Sequence, residues 1–199
     1  MNLRTACAVL GMTAVFCSTA AAHPGHLHSP SASGFESGFF HPFLGLDHLL
    51  AMFAVGLLAT QIGGRAIWAL PAAFLGMMVA GGALGMTGFA LPGIEIGIAL
   101  TVVGLGIALA YGKKYPLAVA AVVIGLFGLL HGHAHGAEMP GSLQPALYAT
   151  GFVLATAGLH LAGIGAGLLL VRGAQEPLAI RLSGAAISFA GLMILLAAI

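Results

Sequence analysis

The stretch HPFLGLDHLLAM, residues 41–52, decides the fold because it opens a long apolar run with three ionisable side chains. These side chains are His41, Asp47 and His48. An aspartate near the centre of a membrane-spanning helix costs about 2.5–3.5 kcal/mol on insertion scales. A partner has to offset that cost, and its nature is the central question about this chain.

The composition of the whole chain indicates an integral membrane protein. Of the 199 residues, 60% are hydrophobic and only 6% are charged, whereas about 25% of residues are charged in a typical soluble domain. Such a chain cannot cover a surface that faces water. The net charge of +1 provides no basic patch for nucleic acid, and the sequence has no glycine-rich phosphate loop for a nucleotide.

The N-terminus has the pattern of a cleavable signal peptide. Arg4 precedes a short apolar run, and Ala20 and Ala22 form an A-x-A site. We expect cleavage before His23, which removes residues 1–22; an uncleaved first helix is the alternative. Both cysteines lie in this piece, so the mature chain would offer no thiolate ligand.

Six apolar runs follow a polar segment, residues 23–40, that we expect to be flexible and to lie in the periplasm. Each run has close to the 20 or so residues that a bilayer span needs. The predicted spans cover about 42–62, 66–86, 92–111, 116–135, 145–170 and 178–198. The sequence therefore predicts an all-α, polytopic transport domain of six transmembrane helices over residues 41–199.

The basic residues after the signal peptide set the orientation. They fall in or beside the first, third and fifth connections, and they are Arg65, Lys113, Lys114, Arg172 and Arg181. Basic connections stay in the cytoplasm. Both termini are therefore predicted to lie outside (N-out/C-out).

Glycine spacing predicts how the helices associate. The chain has 31 glycines, and the pairs Gly81 and Gly85, and Gly132 and Gly136, are each four residues apart. Small residues at this spacing let helix backbones approach closely in lipid. We interpret these glycines as packing surfaces.

A second group of ionisable residues closes the fourth predicted span. His131, His135 and Glu138 are spaced i, i+4, i+7 and share one helix face, whereas His133 points elsewhere. Glu95 opens the third span on the same, outer side. Most candidate ligands are therefore predicted at the outer half of the membrane.

The first span carries the other candidates. We expect His41 at the helix cap, because Pro42 favours the first turn of a helix, with His48 two turns further along the same face. Imidazole and carboxylate together suit Ni²⁺, Co²⁺, Zn²⁺ or Cu²⁺, so a divalent ion is one partner for Asp47. The alternative is a polar pair that holds two helices together. For His160, deep in the fifth span, we expect a hydrogen bond to a neighbouring helix.

The polar tail contains three further histidines, His23, His26 and His28. Loose capture of a metal ion by these imidazoles is one interpretation of the tail. A solvated polar tail without a binding role is the other.

Two motifs resemble the signatures of the HupE/UreJ family of membrane proteins. HPFLGLDHLLAMFAVG, residues 41–56, is similar to the signature of the first span. LLHGHAHGAE, residues 129–138, is similar to the second, F-H-G-x-x-H-G-x-E, with Leu130 where the family often has phenylalanine. The resemblance extends over nearly the entire chain.

The resemblance implies secondary transport of Ni²⁺ or Co²⁺ linked to hydrogenase and urease maturation proteins, with the ion as cargo rather than cofactor and with no enzyme activity. The metal-contacting residues that it implies are His41, Asp47, His48, Glu95, His131, His135 and Glu138. Two alternatives use the same ligands. One is an intramembrane zinc-dependent hydrolase, and the other is an accessory factor that binds metal without transporting it.

Overall fold

The structure, a computed structural model, describes residues 34–139, 141, 143–171 and 176–199. Seven α-helices account for most of this part of the chain, and none of its residues lies in a β-strand. The helices are α1 (Gly34–Leu44), α2 (Leu46–Ile62), α3 (Ala66–Met86), α4 (Ile94–Tyr111), α5 (Leu117–Glu138), α6 (Pro145–Val171) and α7 (Glu176–Ala197). The predicted all-α class is thus confirmed here, while the predicted signal peptide and the histidines of the tail lie outside the described residues.

Five helices, α3 to α7, are long and apolar enough to cross a membrane. Their bounds lie close to the predicted spans, because long apolar runs between glycine and proline signals locate such helices well. The largest difference is at the end of α5, which continues to Glu138 instead of ending near residue 135. The continuation places Glu138 on the same helix as the histidines before it.

The first predicted span is not one straight helix, which corrects our prediction. α1 and α2 meet at an angle of 81°, and Gly45 between them has extended backbone angles, φ −97° and ψ 118°. Residues 34–40, which we expected to be flexible, are helical. His41 lies in the last turn of α1, with Pro42 beside it, and not at the cap of a span. A sixth span is present only if the bent pair is taken as one.

Close glycine contacts join α3 to α5, as the sequence predicts. A Cβ atom added at Gly132 would collide with the backbone carbonyl of Met78, and one added at Gly81, Gly85 or Gly136 would also meet backbone of the opposite helix. Contacts advance along both helices in the same direction, so α3 and α5 run parallel. This packing fixes the position of the histidines at the end of α5.

Close backbone contacts at glycine residues also join three other helix pairs. α2 packs against α6 through Gly56 and Gly163, and α1 packs against α6 through Gly38 and Gly151. The pair α4 and α7 is joined through glycines 106, 184 and 191. The contact of α1 with α6 gives the physical reason for the additional helix: α1 is stabilised by packing across α6, which no local sequence signal reveals.

The outer surface of the bundle is apolar. Trp68, Val122 and Leu169 are 69%, 64% and 70% exposed, and large apolar side chains of the other long helices are exposed as well. Monomeric soluble proteins rarely expose apolar surface on this scale. The surface fits a lipid environment.

The two ends of the bundle differ in their polar residues. The histidine end is where α1 lies, where α2 and α6 begin and where α5 ends. The described basic residues lie at the opposite end, and they are Arg65, Lys113, Lys114 and Arg181. There, Arg181 Nε donates a hydrogen bond to the carbonyl of Ala110 over 2.9 Å.

Candidate metal centre

Side chains from two distant motifs lie together at the histidine end. α1 and α2 supply three of them, and the last two turns of α5 supply the other three. This group, called the histidine cluster, consists of His41, Asp47, His48, His131, His135 and Glu138. Since the glycine contacts place α5 and α2, the cluster is a product of helix packing and not of local sequence.

Three members of the cluster form a compact set of possible ligands. One ligand atom each of His41, His135 and Glu138 lies within 4.8 Å of the other two. His41 Nε2 is 3.6 Å from Glu138 Oε2, and these side chains are 18% and 31% exposed. His135 is buried. The set is therefore open to solvent on the side of His41 and Glu138 and closed on the side of His135.

Asp47 orients the imidazole of His48. Asp47 Oδ1 accepts a hydrogen bond from the backbone N–H of His48 over 2.8 Å and lies 2.5 Å from His48 Nδ1. Since an ionised carboxylate only accepts hydrogen bonds, Nδ1 is the donor in this pair. In the neutral imidazole, the lone pair of His48 is then on Nε2, which is buried and has no hydrogen-bond partner among the described residues.

His131 has the same arrangement with a different acceptor. Its Nδ1 lies 2.9 Å from the carbonyl oxygen of Phe127, one turn earlier on α5. Because a carbonyl also only accepts, the lone pair of His131 is on Nε2, and this atom too is buried without a partner in the described part of the chain. A hydrogen bond from one ring nitrogen to an oxygen is the usual way in which proteins orient an imidazole that ligates metal with the other.

The imidazole rings of the cluster pack against one another. The ring centroids of His48 and His135 are 4.3 Å apart, and those of His48 and His131 are 5.1 Å apart. Both ring nitrogens of His135 also lack a partner within residues 34–139, 141, 143–171 and 176–199. A buried polar group without a partner costs about 1–3 kcal/mol. A divalent cation held by these nitrogens would remove that cost, and imidazole with carboxylate is a donor set for Ni²⁺, Co²⁺, Zn²⁺ or Cu²⁺.

Aromatic side chains that the sequence analysis does not identify surround the cluster. The ring of Phe152 on α6 is 3.8 Å from that of His135, and Tyr148, one turn earlier, is 6.1 Å from His41. Phe74 on α3 is 5.5 Å from His131. The i, i+4 spacing of Tyr148 and Phe152 is the available sequence signal, but many packing residues have it.

Two candidate residues lie apart from the cluster. His133 is buried, and its Nε2 is 2.7 Å from the carbonyl oxygen of Phe89, in the connection after α3. The prediction that His133 points elsewhere is confirmed. Glu95 is exposed in the first turn of α4 and, within the described part of the chain, shares no hydrogen bond or ion pair with the cluster. Its predicted role in metal binding stays a prediction.

His160 has surroundings that differ from our expectation. It is buried, but neither ring nitrogen has a hydrogen-bond partner among the described residues. The expected hydrogen bond to a neighbouring helix is therefore not found there. The ring packs edge-on against Phe74 instead, with centroids 5.1 Å apart.

Comparison with known proteins agrees with this architecture. The family of HupE / UreJ proteins matches residues 10–194. Protein HupE of Rhizobium leguminosarum bv. viciae is 47% identical over 178 residues, which cover 89% of this chain and 91% of the relative. No solved structure matches. Both signatures and nearly the full length are included in the match, so the chain belongs to the HupE/UreJ family.

Proposed function

We propose that the protein is a secondary transporter that takes up Ni²⁺ and/or Co²⁺ across the bacterial inner membrane and supplies the metal for hydrogenase or urease maturation. The observation that carries the proposal is the group of buried imidazole nitrogens without partners among the described residues, placed beside two carboxylates inside apolar helices. Family membership supports the same class of ion.

Charge balance supports a divalent cargo. Asp47 and Glu138 contribute two negative charges, and the histidines bind metal in their neutral form. A doubly charged cation therefore makes the loaded cluster neutral. Because an uncompensated charge inside apolar helices is expensive, the cluster would favour divalent over monovalent cations.

The ligands are assigned as follows. His41, His135 and Glu138 capture the ion, since they combine mutual proximity with access to solvent. His48 and His131 bind it through Nε2 at the buried side. Asp47 acts mainly by orienting His48 and by its charge, which refines the role implied by the resemblance. Glu95, exposed on α4, contributes negative potential that attracts cations.

The position of the basic residues supports the direction of transport. Lys113, Lys114 and the described arginines lie opposite the histidine end, and connections rich in lysine and arginine remain in the cytoplasm. The histidine cluster then faces the periplasm, where the predicted tail with His23, His26 and His28 would deliver ions to it. Since the sequence has no phosphate loop, an ion gradient or the membrane potential drives uptake.

The proposal is tested by flux of radioactive nickel and cobalt into proteoliposomes that contain the purified protein. We expect saturable uptake by the wild type and none by empty vesicles. The matched variants are His135→Leu, which removes a cluster ligand, and His133→Gln, which changes a buried histidine outside the cluster.

Three results would contradict the proposal as stated. Binding of nickel without flux would favour the accessory factor. Hydrolysis of a lipid or peptide amide that depends on Zn²⁺ and on His135 would favour the hydrolase. A loss of uptake in His133→Gln as large as in His135→Leu, at unchanged stability, would show that metal binding is not confined to the cluster.

A further inference from the structure

One face of α6 leads from the histidine cluster into the interior of the bundle. Tyr148, Phe152, Thr156 and His160 are each four residues apart, and all four are buried. The first two contact the cluster through their rings. With a rise of 1.5 Å per residue, Thr156 and His160 lie about 6 and 12 Å beyond Phe152 along the helix.

The hydroxyl of Thr156 differs from those of the other described threonines. Thr60 and Thr150 each donate a hydrogen bond to the carbonyl four residues earlier, and Thr101 donates to the carbonyl three residues earlier. Thr156 is completely buried, and its Oγ1 has no partner among the described residues. A local hydrogen bond to the helix backbone is the usual solution for threonine in an apolar helix, and it is not adopted here.

His160 lies one turn further along and is equally without partners. It is 1% exposed, and both of its ring nitrogens lack a hydrogen bond in the described part of the chain. Each such buried group is unfavourable, because it gives up its hydrogen bonds to water and gains none in return. Two neighbouring unsatisfied residues on one helix face are not explained by packing, because leucine and valine would fill the same space without that cost.

A single aromatic ring connects this pair with the histidine cluster. Phe74 is fully buried, and its ring centroid lies 5.5 Å from that of His131 and 5.1 Å from that of His160. His131 presents a free Nε2. Among the described residues, His131 and His160 therefore pack against the same ring, and His160 is the imidazole on its other contact.

We propose that His160 and Thr156 form a second, transient metal site on the route from the histidine cluster towards the opposite end, an inference that rests on the proposed transport function. An imidazole nitrogen and a hydroxyl oxygen, completed by water, hold Ni²⁺ or Co²⁺ weakly. Weak binding is what a transit site needs, since an ion has to enter it and leave it again.

The test compares flux with binding for Thr156→Val and His160→Leu in proteoliposomes, using nickel as the probe. Both changes keep the approximate volume and remove polar atoms that have no partner, so thermal stability should stay equal or increase. We expect nickel flux to fall about tenfold in each variant, with equilibrium nickel binding at the histidine cluster unchanged. Thr150→Val, on the exposed side of the same helix, is the matched control and should keep wild-type flux.

A third variant tests ion selectivity, which a change in protein stability alone would not alter. His160→Cys places a thiolate on the route, and thiolates favour zinc more strongly than imidazole does. The ratio of zinc to nickel flux should therefore increase several-fold relative to the wild type.

The outcomes separate this inference from the proposed function. Wild-type protein that binds nickel without flux contradicts transport itself. If Thr156→Val and His160→Leu both transport nickel at the wild-type rate, the transit site is overturned and the proposed transport function is not. A loss of flux that occurs only together with lower thermal stability, with no change of selectivity in His160→Cys, assigns these residues a structural role and also overturns it.

Discussion

Two faces of α5 show how differently the same residue type can be used. His133 and His135 are two residues apart, and both are buried. His133 faces the connection after α3, where its Nε2 is hydrogen-bonded to the Phe89 carbonyl and its Nδ1 has no partner within the described residues. His135 faces α1, α2 and α6, where neither of its ring nitrogens has a partner in that part of the chain and the rings of His41 and His48 lie nearby. The comparison indicates that a buried nitrogen without a partner is available to a metal ion where other ligands surround it, as around His135, whereas His133 connects α5 to the segment after α3.

The strongest test of this comparison is His135→Leu. We expect nickel affinity and uptake to fall on the order of 100-fold or more, because a central ligand is lost. Thermal stability should not decrease, since the change removes two buried nitrogens without partners. Equilibrium binding and thermal unfolding in detergent measure the two quantities, and a variant that unfolds easily while still binding nickel would reverse our interpretation.

Asp47→Asn sharpens the comparison by changing an acceptor instead of a ligand. The amide retains an oxygen near His48 Nδ1 but loses the negative charge, so His48 is oriented less firmly and the loaded cluster is no longer neutral. Loss of such an orienting group typically costs 10–100-fold in metal affinity, and we expect about that range for uptake. Because Asp47 acts mainly through His48, the double variant His48→Ala/Asp47→Asn should lose less affinity than the two single losses combined. Full additivity would show that Asp47 acts on the ion independently of His48.

Acidification tests imidazole ligation, and His133→Gln provides the control. A protonated imidazole has no lone pair for metal, so uptake and binding are expected to fall about tenfold as protons compete for the ligands below the ordinary imidazole pKa of about 6.5. The sign follows from this competition: binding is favoured at higher pH and is lost as the pH falls. His133→Gln should give the same profile, and a nickel affinity that does not change with pH while the protein stays folded would contradict imidazole ligation.

The smallest effect on transport is expected for His133→Leu. Nickel uptake should stay within about twofold of the wild type, while the free energy of unfolding falls by about 1–3 kcal/mol because the Phe89 carbonyl loses its donor. The informative result is the contrast with His135→Leu, which should lose nickel uptake and keep its stability. A large loss of uptake at unchanged stability would mean that both faces of α5 take part in metal binding.

The sequence predicts the long helices well and the first one poorly. Composition and length are enough for α3 to α7, because each is an uninterrupted apolar run. No local pattern indicates the break at Gly45, because Pro42 suits the first turn of a helix and residues 34–40 look too polar to form one. α1 is stabilised by its contact with α6, and such a contact is invisible to local patterns.

The candidate site was predictable as a list of residues and not as an arrangement. The two motifs supply the histidines and carboxylates, and the i, i+4, i+7 spacing separates His133 from its neighbours. The pairing of Asp47 with His48 Nδ1, the aromatic wall from α6 and the unpartnered Thr156 depend on tertiary structure. No spacing rule identifies which nitrogen of a histidine is left free.

Glycine packing joins the helices into three bodies, and the seam between two of them passes through the candidate metal centre. α1, α2 and α6 form one body and carry His41 and His48, α3 and α5 form the second and carry His135, and α4 and α7 form the third. Contacts within each body are much denser than those across the seam. If one of these two bodies slid past the other, the two halves of the ligand set would separate. Binding of the ion by both halves would therefore also hold the two bodies in one relative position.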